Sequence, residues 1–320
     1  MRREKHRAHG PTVGVIGVAW RGVPVAMRHL AKVDRGDLAR PHFSPVNASP
    51  SQAATKVVAE HRISLAIFTL QAFSCFVLGP CIMLAINALR TQFEQAIVSA
   101  TLPVNGQYPR PWMTDLNDPL EALAFVVGRN PARTYPAARL SHARHVDALF
   151  NRNGQYCRAV YDELNEPSRT RENIDRFGVL LRQAGVDRIL ETNVICYSSP
   201  MSADLALPEH SDGRSAGRAV FSLLLRSIRP RVLIAHGAGT VHDLSKMMGA
   251  SLPAPAQRPG PPPSVVLGTM TIITLPSLAL PAWNRWHSWA DEHLKSAAAI
   301  AAVALQQGAW SAAVLAEAPA

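Results

Sequence analysis

Short apolar runs alternate with amphipathic segments over most of this sequence, and this alternation limits the fold more than any other feature. The first run is Ala122–Gly128, seven residues without a polar side chain. A strand buried on both faces has such an uninterrupted run, whereas a half-buried strand alternates apolar and polar residues. We therefore predict an α/β fold, a three-layer αβα sandwich with a short central parallel sheet.

The same pattern predicts the remaining elements. One helix is especially well marked, because Ser168 can cap its start, Ile174, Phe177 and Leu181 recur at helical spacing, and Gly185 can end it. Ligands bind at the carboxyl ends of parallel strands, so the loops after the strands are the places to look for a site. The other predicted strands are Arg188–Ile195, Arg231–His236 and Val265–Leu275, the last of which is a strand or a hairpin; the other predicted helices are Arg139–Phe150, Tyr156–Leu164, Gly213–Arg229 and Trp283–Leu305.

The positive charge of the chain is concentrated at its N-terminus. Residues 1–62 carry 11 Lys and Arg against 4 Asp and Glu, whereas residues 63–320 carry 22 against 19. The formal charge of +10 is therefore weak support for a nucleic-acid partner. We divide the chain into an irregular N-terminal extension over residues 1–90, an α/β domain over residues 91–305 and a tail over residues 306–320.

Residues 63–89 form a 27-residue segment without a charged side chain. Its length suits a membrane span, but Gly79-Pro80 near its middle and the similar Lys and Arg content of its flanks argue against one. An over-extended translation start and a core helix are the other two interpretations. We expect a cytoplasmic protein, with a tether to the membrane through residues 63–89 as the alternative.

The cysteines do not suggest a metal site. Cys75, Cys81, Cys157 and Cys196 include no CxxC pair and no zinc spacing, so we predict neither a cluster nor a disulfide framework. A reducing compartment fits this pattern best.

Polar residues lie at or just after the ends of three of the predicted strands. Asn130 lies in a Gly-Arg-Asn-Pro turn that can hold its side chain toward a water molecule or a substrate group, or can simply form a tight connection. Asn193 carries a carboxamide that can offer one donor and one acceptor to the edge of a base, or can cap the strand end. Ser277 follows Pro276 where a hydroxyl and backbone N–H groups can contact a phosphate, or simply form a turn.

In their order and placement these motifs resemble those of the uracil-DNA glycosylase superfamily, over residues 105–295. That family has a four-stranded parallel sheet between helices, a Gly-x-Asp/Asn-Pro turn after its first strand, an Asn after its second and a His/Asn-Pro-Ser motif after its last. The resemblance implies that residues 91–305 are a uracil-DNA glycosylase-like domain. It further implies a monomeric base-excision repair enzyme that hydrolyses the N-glycosidic bond of uracil or a related damaged base in DNA, without a metal or cofactor.

The resemblance also implies the roles of individual residues. Asn130 would be catalytic and would orient the attacking water, while Asn193 would read the Watson–Crick edge of an extruded base. Ala132 stands where uracil-restricted members carry a bulky Tyr, which implies a broader choice of base. Tyr135 is the nearest candidate for a stacking aromatic and Phe150 the next. The residues assigned to substrate binding are Gly128, Pro131, Ala132, Tyr135, Asn193 and Ser277.

Two further features bear on DNA binding. Leu278 and Leu280 could wedge into the base stack, or they could pack against Trp283. A local basic face could compensate for the low net charge of the domain; its members are Arg129, Arg133, Arg139 and Arg144.

One position departs from the family pattern. Leu275 stands where the family has His or Asn to stabilise the departing base, and a leucine offers no hydrogen bond. The loss of one such donor typically slows a reaction by about 100-fold or more. His236 lies on another predicted strand, so it is not assigned this role without the geometry of the site, and a histidine at a strand end is more often structural. Two alternatives therefore stay open: a non-catalytic module of the same fold that binds nucleic acid or nucleotide, and a hydrolase for a free nucleoside or another small metabolite.

Overall fold

The computed structural model describes residues 87–317, with side chains described up to residue 307. The predicted N-terminal extension therefore lies outside the described residues, except for its last four. Cys75 and Cys81 lie outside the described residues, and so does the apolar segment over residues 63–89 apart from its last three residues. The three interpretations of this segment therefore stay predictions. In the described part of the chain, no helix is both long and apolar enough to cross a membrane.

The fold is α/β, with a five-stranded and mostly parallel sheet. The strands lie in the order β2-β1-β3-β5-β4, and all neighbours pair in parallel except β4 and β5, which form an antiparallel hairpin at one edge. The predicted strands are confirmed, and the last one is the hairpin. Their bounds are Ala124–Gly128 (β1), Ile189–Asn193 (β2), Val232–His236 (β3), Ser264–Leu267 (β4) and Met270–Leu275 (β5).

Helices connect the parallel strands and were largely visible in the sequence. Ser168 caps the helix predicted after it, since its hydroxyl accepts a hydrogen bond from the backbone N–H of Arg171, and Ser141 caps the second helix in the same way. The helices cover residues 87–100 (α1), His142–Leu149 (α2), Cys157–Leu164 (α3), Arg169–Gln183 (α4), Ser211–Ile228 (α5), Ala238–Met248 (α6) and Ala290–Glu317 (α7).

The sheet separates two hydrophobic cores, because side chains along a strand point alternately to its two faces. On one face, Phe125 and Val127 pack with residues of α1, α2, α3, α5 and α6. On the other, Ala124 and Val126 pack with residues of α4 and α7. This arrangement is consistent with a three-layer sandwich.

The helix predicted over Trp283–Leu305 begins later than expected. Two 3₁₀ turns, Ala282–Arg285 and His287–Trp289, precede it, and α7 begins at Ala290. Trp286 explains the irregular start: its indole N–H donates to the carbonyl oxygen of Ser277 at 2.9 Å, which ties this segment to the loop after β5. The sequence predicts that the domain ends at residue 305, but α7 continues past that residue and ends at Glu317.

Candidate functional site

A cavity of about 790 Å³ opens at the carboxyl edge of the sheet. Its walls come from the ends of β1, β2 and β3, from the loop after β5 and from the start of α4. Loops that are distant in the sequence meet here because the carboxyl ends of parallel strands share one edge of the sheet. Six of the seven predicted site residues line this cavity: Gly128, Asn130, Pro131, Ala132, Asn193 and Ser277.

The floor of the cavity is formed by the last residues of three adjacent strands. Ala124, Ile189 and Val232 all pack in the core with α4 and α7. Every second residue along a strand points to the same face of the sheet, and two such steps along each strand lead to Gly128, Asn193 and His236. These three residues therefore project from the same face of the sheet. Because β1 lies between β2 and β3, Gly128 lies between the other two.

The side chains of Asn193 and His236 both come close to the backbone of Gly128. A Cβ atom at this glycine would lie 2.6 Å from Oδ1 of Asn193 and 3.1 Å from Nε2 of His236. Any larger residue would therefore force at least one of the two side chains to move. Gly128 keeps the space above β1 open to both of them.

The carboxamide of Asn130 has a defined orientation. The Ser199 hydroxyl donates to the carbonyl oxygen of Met201 at 2.8 Å, so it can only accept from Asn130 Nδ2, which lies 2.9 Å away. The other end of the amide, Oδ1, accepts from the Ser202 hydroxyl at 2.6 Å. A carboxamide oxygen has two acceptor sites, so Oδ1 keeps one of them for a further donor.

Asn193 is free to bind a ligand. It is half-buried, and the Cys196 thiol donates to its backbone carbonyl oxygen, whereas its side chain has no hydrogen-bond partner among the residues that the structure describes. The hydroxyl of its neighbour Thr192 donates to the carbonyl oxygen of Pro111 at 2.5 Å, which anchors the end of β2. The Asn193 carboxamide can thus present both a donor and an acceptor to a ligand in the cavity.

His236 is a cavity residue that the sequence did not identify. Burial, and then the positive charge of Arg171, lower its pKa to about 4, so the imidazole is neutral at pH 7. Arg171 itself is held by a two-pronged ion pair with Glu191, at 2.5 and 2.8 Å. The sequence placed His236 at the end of a strand, where sites form, but which residues lie beside it depends on the order of the strands in the sheet.

Leu275 and Leu278 belong to the core. Both are fully buried and pack in the same cluster as Trp283. Leu278 therefore cannot wedge into a base stack, and its alternative role in packing is the correct one. Leu280 differs, since it is 46% exposed and lines the cavity.

Tyr135 is the one predicted site residue that does not line the cavity. Its ring is 4% exposed, packs edge-on against His145 and lies under the guanidinium of Arg110. Burial raises the pKa of its hydroxyl to about 12. Because its ring is covered, Tyr135 has no face free to stack on a base, and the prediction of that role is not supported by its position.

Other aromatic side chains contact the cavity instead. Trp112 and Tyr161 are among its lining residues, although each is more than nine-tenths buried. Phe150, the second candidate from the sequence, packs edge-on against Trp112 with ring centroids 5.7 Å apart. Proximity in the sequence therefore did not identify the aromatic residues of the site.

The predicted basic face is partly neutralised. Arg129 forms an ion pair with Asp243 at 2.9 Å, and Arg144 forms one with Glu163 at 2.5 Å. Arg133, in contrast, lines the cavity and has no carboxylate within 4 Å among the described residues. Arg139, the fourth member, is exposed and lies outside the cavity lining, and it too has no ion pair among the described residues. Two of the four predicted residues, Arg133 and Arg139, therefore keep a charge that a ligand can use.

The described residues contain no group of three or more His, Cys, Asp and Glu side chains that could hold a metal ion. Cys157 and Cys196 are buried free thiols, and burial raises the pKa of each to about 12. Both thiols are therefore protonated at neutral pH and are poor nucleophiles.

Comparison with models of known protein families gives no match for this sequence. No curated protein matches it significantly either. These comparisons therefore assign no function to the cavity.

Proposed function

We propose that this protein is a DNA glycosylase-like enzyme that hydrolyses the N-glycosidic bond of uracil or a related damaged base. The observation that carries the proposal is the convergence of two carboxamides, those of Asn130 and Asn193, on one open cavity. Four parallel strands between helices agree with the architecture that the sequence resemblance implies, a three-layer αβα sandwich.

The two carboxamides have complementary tasks in this reaction. Asn193 pairs with the Watson–Crick edge of a base that has left the stack. The free acceptor site of Asn130 Oδ1 orients a water molecule toward the sugar carbon. The bond between that carbon and the base nitrogen breaks, its electron pair leaves with the base, and the water oxygen bonds to the carbon. The water loses its extra proton to solvent, and the released base takes one up.

Other cavity residues suit a DNA substrate. The small side chain of Ala132 leaves room for a substituent on the base, and Arg133 and Ser277 can contact phosphates. Leu280 is exposed at the cavity and can take the place of the extruded base. We further propose that the enzyme works as a monomer in the cytoplasm, where its free thiols stay reduced.

A second candidate function is the hydrolysis of a free nucleoside in the same cavity. The ion pairs of Arg129 and Arg144 favour it, because they remove positive charge that a DNA-binding face would use. A non-catalytic module that binds nucleic acid or nucleotide is the third possibility.

The deciding experiment incubates the full-length protein with uracil-containing single- and double-stranded DNA and, separately, with deoxyuridine. We expect alkali-labile sites in the DNA, formed at least about 100-fold more slowly by Asn130→Ala, because the attacking water loses its positioning. Asn117→Ala is the matched control, since Asn117 is exposed and does not line the cavity.

Three results would reject the proposal. Release of uracil from deoxyuridine but not from DNA favours the nucleoside hydrolase. Binding of DNA without any base release favours the non-catalytic module. Full activity of Asn130→Ala removes Asn130 from the mechanism.

A further inference from the structure

His236 occupies a position in the cavity that the proposed reaction leaves unassigned. It ends β3, beside the Asn193 carboxamide, and lines the same cavity. Its register partner on β5 is Leu275, whose side chain is sealed in the core and can contact no ligand. A polar side chain therefore stands one strand away from the apolar residue that departs from the family pattern.

The imidazole of His236 has unused hydrogen-bonding capacity. Neither ring nitrogen has a partner among the described residues, and Nδ1 is buried away from solvent. Nε2 lies on the side of Gly128 and Asn193, toward the cavity. A proton on Nε2 lies on the cavity side of the ring, where water or a ligand can accept its hydrogen bond, whereas a proton on Nδ1 would be left buried without an acceptor.

We propose that Nε2–H of His236 is a catalytic hydrogen-bond donor, which binds a carbonyl oxygen of the base and stabilises the negative charge that develops as the base departs. The inference rests on the proposed glycosylase function. His236 keeps its proton throughout, and the electron pair of the broken bond stays on the base until the base takes a proton from solvent. Such a donor acts most strongly in a site that excludes water.

The surroundings of His236 suit a neutral donor. The Arg171 charge and burial both oppose a second proton on the ring, as its low pKa reflects. An uncharged imidazole with one N–H cannot act as a strong acid, so it contributes by hydrogen bonding alone. The ion pair with Glu191 fixes Arg171 and thereby keeps this environment constant.

The test measures single-turnover base release from uracil-containing DNA by the full-length protein. We expect His236→Leu to lower the rate by about 100-fold or more, because the donor is lost, while DNA affinity changes by less than about threefold. His236→Asn, which restores an N–H donor without the ring, should recover at least about tenfold over the leucine variant. His287→Leu, at an exposed histidine outside the cavity, is the matched control and should behave as wild type.

The outcomes separate this inference from the function on which it rests. An active wild type with an equally active His236→Leu rejects the role of His236 alone. An asparagine variant as slow as the leucine variant also rejects it, since shape rather than a donor then explains the loss. A wild type that releases no base from DNA rejects the proposed function and this inference together. If thermal melting shows that the leucine variant is unfolded, His236→Phe replaces it, because phenylalanine keeps a flat ring without a donor.

Discussion

The missing side chain of Gly128 leaves space in which two functional groups approach each other. Asn193 Oδ1 and His236 Nε2 both lie within about 3 Å of the point where a Cβ atom would stand. Each of these atoms ends a side chain that can rotate, so an added methyl group would displace them rather than unfold the strand. The glycine thus contributes to the geometry of the site more than to the stability of the sheet.

We expect Gly128→Ala to lower base release by about 10-fold or more, because the Asn193 carboxamide can no longer lie against β1. A double-mutant cycle with Asn193→Ala is the measurement, since residues in contact give non-additive effects. If the glycine acts through Asn193, the double variant is no slower than Asn193→Ala alone. Strictly additive losses would show that Gly128 affects the site by another route.

At the scale of elements, α5 positions the loop that follows β2. The backbone N–H of Cys196 donates to the carbonyl oxygen of Gly217 in α5 at 3.2 Å. A Cβ atom at Gly217 would lie 2.9 Å from the backbone nitrogens of both Cys196 and Tyr197. Backbone atoms cannot rotate away as a side-chain end can, so this helix and this loop require a glycine at their contact.

We predict that Gly217→Ala lowers the free energy of unfolding by about 1–3 kcal/mol, because the helix must move away from the loop. Gly178→Ala in α4 is the matched control. A Cβ atom there would meet only the end of the Arg182 side chain, at 3.6 Å. Alanine should therefore be neutral at Gly178 or stabilise the helix by about 0.5–1 kcal/mol.

Urea unfolding of the wild type and both variants provides the comparison. Equal stabilities of Gly217→Ala and the wild type would contradict the close contact between α5 and the loop.

At the scale of the whole molecule, two histidines with strongly lowered pKa values make the fold sensitive to acid. Burial is the main cause that lowers the pKa of both His145 and His236 to about 4, whereas an unfolded histidine titrates near 6.5. Between these values the unfolded chain binds more protons than the folded chain. The free energy of unfolding therefore rises with pH in this range. The stability that the two neutral histidines contribute is lost as the pH falls from about 6.5 toward 4.

We expect the free energy of unfolding to fall between pH 7 and pH 4.5, with each of these histidines contributing about 2 kcal/mol to the loss. Replacing His236 by Asn removes one titrating group, so the loss should be smaller by about that amount. Urea unfolding of both proteins at the two pH values measures the difference. An identical loss in wild type and variant would show that His236 is not held neutral by the fold.

Several features of this protein followed from the sequence because their causes are local. Apolar runs predicted the buried strands, and a capping serine at Ser168 predicted the start of α4. Asn130 and Asn193 were expected at one site because each lies at or just after the end of a strand, and parallel strands end at the same edge of a sheet. That rule needs neither the order of the strands nor the packing of their side chains.

Tertiary structure alone decided which other side chains reach the cavity. His236 and Leu275 are register partners on adjacent strands, yet His236 opens to the cavity while Leu275 is covered in the core that contains Leu278 and Trp283. Tyr135 is close to Asn130 in the sequence but lies outside the cavity lining, whereas the distant Tyr161 lines the cavity, although Arg110 lies over both rings. The sequence specifies the alternation of strands and helices locally, but the exposure of a side chain depends on the elements that pack against it.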